Sequence, residues 1–226
     1  MMPHDKKLDS PVWHSLNETH SNFALSYKDV KFYHPDYCPF GGFSSGKNVS
    51  SSIAKYAELA NDFFIVGAKP SFRDTLTLKN ELVCLQMLLR NKIVTDSKDD
   101  IRKLTMEDMG SLFRLVNLVQ PGYFKEKTFL LGDYYGIFRH GELVAASGER
   151  MSMSRFIEVS AVVTHPDNTG RGYARQLVAH TSNNIFDQGK IPYLHVAETN
   201  FIAMSLYKRL GFELRRKISF WHFIKT

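Results

Sequence analysis

The chain has 226 residues, 43% hydrophobic and 23% charged, with a formal net charge of +6, which is ordinary for a soluble globular protein with a sizeable core. No window reads as a membrane span or a signal-peptide core. The only two cysteines, Cys38 and Cys84, stand in no metal or redox spacing, so a cytoplasmic protein without a metal is expected. The charge is uneven. Residues 151–226 hold 10 Lys/Arg against 5 Asp/Glu, which suits an anionic ligand and equally suits a solvated basic face.

Residues 1–60 show little periodicity, and residues 34–52 read as a long loop or a chain of turns. Within them, residues 41–48 nearly spell a phosphate-binding loop. Asn48 stands where the magnesium-binding Ser or Thr belongs, and no buried strand precedes it, so this is read as a loop. A short helix is expected over residues 53–59 and a short strand over 63–67. The spacing of Leu82, Leu85, Leu88 and Leu89 predicts a helix across 76–89. An α/β N-terminal subdomain is therefore expected over residues 1–95, closed by the polar run from Thr95 to Asp100.

The second domain is expected over residues 96–226. A strand at 101–104 leads to Thr105, whose capping box with Asp108 starts a helix lined by Met109, Leu112, Phe113, Val116 and Val119. Pro121-Gly122 ends that helix. Residues 139–142 read as a hairpin turn between strands 134–138 and 143–148. Then come a strand over 156–164, a helix from about 170 to 186, a strand at 193–197, a helix over 201–210 and a last strand over 213–223. The order implies a mixed, mostly antiparallel central sheet flanked by helices, in the α/β (α+β) class, with a parallel part around 156–197.

Chemistry concentrates in residues 158–212. Pro166 ends a strand, and Gly170 and Gly172 then let the backbone turn tightly and approach a ligand. The free N–H groups and the dipole of the following helix favour an anion such as a diphosphate, with Arg171 and Arg175 adding charge. Downstream, Asn200, Ala203 and Tyr207 share one helix face. On residue type alone Tyr207 is a core tyrosine with a hydrogen-bonded tip.

These motifs resemble the GNAT superfamily of acyl-coenzyme A-dependent N-acyltransferases over residues 101–226, and most of all its glycine-N-acyltransferase-like branch. Residues 169–174 stand where that family has Gln/Arg-x-x-Gly-x-Gly/Ala, with Gly172 and Ala174 matching and Thr169 departing at the leading position. Asn200, Ala203, Leu206, Tyr207, Gly211 and Phe212 match its Asn-x-x-Ala-x-x-Leu-Tyr…Gly-Phe pattern.

The resemblance implies an acetyltransferase that uses acetyl-CoA and a primary amine, a small amine, amino acid or peptide, by direct transfer in a ternary complex. It places the diphosphate against Thr169, Gly170, Arg171, Gly172, Tyr173, Ala174 and Arg175. The pantetheine arm would pair with Val162, Val163 and Thr164 at a bulge, a backbone N–H near Val163 would face the thioester carbonyl, and Asn200 and Ala203 would contact the coenzyme. It assigns Tyr207 as the acid for the departing thiolate. Alternation sets Glu158, Ser160 and Val162 on one strand face. Glu158 is read either as the base for the ammonium or as a strand glutamate paired with an arginine such as Arg155. Glu149, His195 and Glu198 are further base candidates, and His165 belongs to the turn. A catalytically inactive CoA-binding regulator is the alternative suggested by Thr169. No helix-turn-helix, RNA-binding sheet or zinc spacing appears, so neither nucleic acid nor membrane is an expected partner. A homodimer is the assembly to expect if the chain self-associates.

Overall fold

The computed structural model describes residues 3–44, 49–94 and 98–226. The near phosphate-binding loop therefore lies partly outside the described residues.

One sheet of eleven strands organises those residues, in the order β1-β2-β3-β4-β11-β5-β10-β9-β8-β7-β6. Its N-terminal part comprises β1 (Ala24–Tyr27), β2 (Val30–Tyr33), β3 (Phe40–Phe43) and β4 (Asp62–Gly67), with α1 (Pro11–Asn17) and α2 (Ser50–Tyr56) beside them. β5 (Leu76–Leu88) is long and central. β6 (Arg102–Lys103), α3 (Met109–Val119), β7 (Tyr134–Arg139), β8 (Glu142–Ser152), β9 (Phe156–Thr164), α4 (Tyr173–Asp187), β10 (Ile191–Ala197), α5 (Phe201–Arg209) and β11 (Glu213–Lys225) complete the chain.

Two expectations are corrected here. Residues 76–88 form a strand, not a helix: β5 pairs with β11 along its length, and its residues 84–88, which also pair with β10, are covered on both faces. A strand buried on both sides carries an unbroken apolar run, and helical spacings can be picked out of such a run. Residues 40–43, expected to be loop, pair with β2 and, in parallel, with β4. The polar run from Thr95 to Asp100 falls between β5 and β6, two strands of the same sheet.

Local signals set the second half. Asp108 accepts from the Thr105 N–H at 2.8 Å, and Arg102 donates to both of its carboxylate oxygens, at 2.8 and 2.7 Å, so the capped 3-10 turn (Met106–Asp108) that leads into α3 is also tied to β6. His140 and Gly141 turn the β7–β8 hairpin with φ of 52° and 84°, the paired left-handed geometry that suits a two-residue hairpin.

The helices lie on opposite faces. α3 packs over β8 and β9 through Leu112, Leu115 and Val116, against Ala146, Ala161 and Val163. Leu8, Val12 and Leu16 from the N-terminal segment and α1 join Phe40, Met151, Phe156, Tyr193 and Phe220 in a second core. On the other face, α4 and α5 cover Ile157, Val159, Leu194 and Val196. Alternation along β9 separates the two sides: Phe156 faces the first core and Ile157 the second.

Candidate active site

β9 and β10 run parallel, and their pairing is short. It runs from Phe156↔Ile191 to Glu158↔Tyr193 and stops. Beyond that row β10 pairs with β5 alone and β9 with β8 alone, so the two strands part toward their C-terminal ends. A register slip accompanies the parting. Ala146 faces Val163 but Gly148 faces Ser160, which leaves one extra residue on β9. Ala161 absorbs it with φ 51°, the left-handed region that a side chain adopts at a cost of about 1–2 kcal/mol.

This bulge corrects the expected alternation. Val162 turns toward the α4–α5 face, where Val159 and Tyr207 also pack, while Glu158 stays on the opposite side. Val163 packs under α3, and Thr164 is half-buried at the strand end.

The turn after β9 supplies the second part of the site. Gly170 and Gly172 have φ of 76° and 77°, and a Cβ added at either would meet no atom within 4 Å, so the backbone here borders open space. Gly172 is the N-cap of α4, whose first internal bond runs from Gln176 N–H to the Gly172 carbonyl at 3.2 Å. The N–H groups of Tyr173, Ala174 and Arg175 thus lack helical acceptors, and Arg171 and Arg175 stand exposed beside them. These features fit a diphosphate. Thr169 is occupied differently: its hydroxyl donates to the Pro166 carbonyl at 3.1 Å and closes the turn. The Tyr173 side chain points inward, accepts from Arg139 Nε at 3.1 Å and packs with Tyr135, Ile137 and Leu177. Its backbone alone faces the turn. His165 belongs to this turn as well, its Nδ1 accepting from the Asp167 N–H.

α5 brings the third part. Asn200 caps the helix, its Oδ1 accepting from the Ala203 N–H at 3.1 Å. Ala203 and Tyr207 pack into the same cluster as Val162. Tyr207 is buried, and its hydroxyl makes no hydrogen bond among the described residues. Burial pushes the phenol above its ordinary range, so it stays protonated at neutral pH.

The opposite face carries the charged groups. Arg150 Nε and Nη2 donate to the two oxygens of Glu158 at 2.7 and 2.9 Å, and His195 Nδ1 lies 2.8 Å from Glu158 Oε1. A second register irregularity, between Glu149 and Ser152, brings Arg150 to that position. Glu158 is 1% exposed. Burial alone would raise its pKa, but Arg150 and His195 hold it down to about 2. The arginine partner is thus Arg150 on the neighbouring strand rather than Arg155, and both carboxylate oxygens are committed. Of the other candidates, Glu149 accepts from Gln188 near the end of α4 and Glu198 pairs with Lys217 at 2.6 Å. Arg150 also lies over the Phe40 ring at 4.7 Å, and Phe40 contacts Tyr123, from the segment after α3, at 6.3 Å. Sequence reading missed Arg150, Gln86 and Tyr123. No local motif marks them, because strand register and the chain path after α3 bring them in.

A protein of the GNAT family from Novosphingobium aromaticivorans DSM 12444, assigned as an acetyltransferase, superposes with a TM-score of 0.87 at 28% identity, covering 97% of this chain and 98% of its own. The chain has the GNAT fold. A GCN5-related N-acetyltransferase-like protein from Streptococcus suis 89/1591 shares the fold at 17% identity and TM-score 0.66, over 92% of each chain. A GCN5-related N-acetyltransferase from Kribbella flavida does so at 14% and 0.61, covering 89% of this chain and 88% of its own. The family model for FR47-like proteins matches residues 134–221, from β7 into β11. No curated protein matches the chain. Together the family model and the first of these neighbours support the GNAT superfamily.

Proposed function

We propose that the protein transfers the acetyl group of acetyl-CoA to a primary amine, directly, with both substrates bound at once, as a member of the glycine-N-acyltransferase-like branch. The observation that carries the reading is the parting of β9 from β10 beside Tyr207, with an open, glycine-lined helix start after β9. Backbone N–H groups of residues 170–175 and the side chains of Arg171 and Arg175 would hold the diphosphate. The unpaired edge of β9 at Val162, Val163 and Thr164 would receive the pantetheine arm, and Asn200 and Ala203 would border it.

In the chemical step the amine nitrogen bonds to the thioester carbonyl carbon, and the carbon–sulfur bond breaks. A backbone N–H near Val163 would stabilise the developing oxyanion. Tyr207, kept neutral by burial, would give its proton to the leaving thiolate and regain one from solvent. The amine's own proton leaves to water. Glu158 enters as a fixed charge on the acceptor side that acts through Arg150 and His195, because neither oxygen is free to touch the amine. Direct transfer is supported by the two cysteines: both are buried, and burial pushes each thiol up to about 12, far from a nucleophilic thiolate.

The test is a panel of amino acids, polyamines, arylalkylamines and short peptides, scored by release of free thiol from acetyl-CoA. Turnover of at least one amine is expected. Tight acetyl-CoA binding without turnover of any would replace this reading with a coenzyme-binding regulator.

A further inference from the structure

A polar chain crosses the sheet on the face that carries Glu158. It runs from Arg150 on β8 through Glu158 on β9 and His195 on β10 to Gln86 on β5, then to Arg215 on β11 and Asp9 ahead of α1. Gln86 is fully buried and the His195 side chain is 3% exposed, so protein neighbours rather than solvent dictate their proton positions.

Two of those neighbours fix the Gln86 amide. The Leu8 carbonyl can only accept, so the Gln86 atom 2.8 Å from it is the amide nitrogen. The Arg215 guanidinium can only donate, so the atom 2.7 Å from it is the amide oxygen. Both neighbours demand the same orientation, and the amide nitrogen then points its second hydrogen at His195 Nε2, 3.0 Å away. Nε2 must accept, and a neutral ring carries its proton on Nδ1, where it donates to Glu158 Oε1. An Nε2–H tautomer would set two donors against each other and leave the Glu158 oxygen facing a bare ring nitrogen.

We propose that Gln86 is a positioning residue of the transfer site. Held by the Leu8 carbonyl and Arg215, it locks His195 as the Nδ1–H tautomer and so keeps a donor on the Glu158 carboxylate. Residues 8 and 9 of the N-terminal segment thereby become part of the acceptor side, Leu8 through its carbonyl and Asp9 through Arg215 at 2.6 Å. The consequence for turnover rests on the acyl-transfer reading above; the tautomer itself does not.

The test separates the two. Nitrogen-15 spectra of the full chain with labelled histidine, at neutral pH, should show His195 as one tautomer, protonated on Nδ1 and bare on Nε2. In Gln86→Glu the carboxylate can only accept, so Nε2 should become protonated. In Gln86→Met the donor is gone, and the single tautomer should give way to a mixture. For an amine the wild type accepts, Gln86→Glu should lower kcat roughly 10- to 100-fold, as a displaced catalytic arrangement does, with the acetyl-CoA Kd unchanged. A native Nε2–H tautomer, or variants that leave the His195 pattern unmoved, would overturn the lock. A moved tautomer with unchanged kcat would sever it from catalysis. If the wild type turns over no amine, the acyl-transfer reading fails while the spectra still decide the lock. Should Gln86→Glu fail to fold, the native spectrum and Gln86→Met decide it.

Discussion

Tyr207 and Glu158 illustrate how burial can point one group toward chemistry and another away from it. Desolvation leaves Tyr207 with its proton, and its hydroxyl has no hydrogen-bond partner among the described residues, which is what a donor to a thiolate needs. Tyr207→Phe should lower kcat about 100-fold while acetyl-CoA binding, measured by calorimetry, stays unchanged. Glu158 is equally buried but fully partnered. Its folded-state pKa is depressed from 4.5 to about 2, so its contribution to stability is complete above 4.5 and is lost as pH falls through 2. Arg150→Met would leave that carboxylate buried with His195 as its remaining partner, at a cost of about 3–5 kcal/mol at pH 7. Urea unfolding from pH 7 to 2 should show the gap to wild type narrowing below about pH 5. A constant gap would mean that the pair contributes no ionic stabilisation.

At the scale of elements, the site depends on two backbone conformations that side chains resist. Gly172 holds φ 77° where α4 begins, with open space around it. Gly172→Ala meets no clash within the protein, so its stability cost should stay near 1 kcal/mol, the price of a side chain in the left-handed region. Acetyl-CoA affinity should fall further, by tenfold or roughly 1.4 kcal/mol, because the backbone cradle is disturbed. Ala161 holds the bulge at φ 51°. A β-branched Val there should cost about 2 kcal/mol and pull the strand back toward regular pairing. Thermal unfolding and thiol release on one preparation would check both effects. A stable, fully active Ala161→Val would show that the bulge is not needed.

At the scale of the whole molecule, strands from both sides of the polar run share one sheet. β5 comes from the first half of the chain and fills the gap between β10 and β11 from the second. A fragment of residues 98–226 should therefore fail to fold, since β10 and β11 would each lose a ladder and their apolar rows would meet water. Circular dichroism and dispersed amide spectra of that fragment are the measurement. A cooperatively folded fragment would establish the boundary near residue 95 as a true one.

Much of the second half was legible in the residues themselves. Its turns, caps and short amphipathic elements are decided within a few positions: Thr105 with Asp108, His140-Gly141, Gly170 and Gly172, and Asn200 at the start of α5. Local backbone chemistry is written locally, so these signals survive without tertiary context. The order of elements from β6 to β11 followed from them. The fold decided everything that depends on which strand lies beside which. β5 reads as a helix until β10 and β11 flank its buried end, and Val162 changes sides only because Ala161 bulges. Glu158 reads from sequence as either a base or an arginine-paired glutamate, and register decides that it is a buried, doubly held anion with Arg150 and His195 on it and Gln86 behind His195. Burial and pairing are properties of neighbours distant in sequence, and only the closed sheet brings those neighbours together.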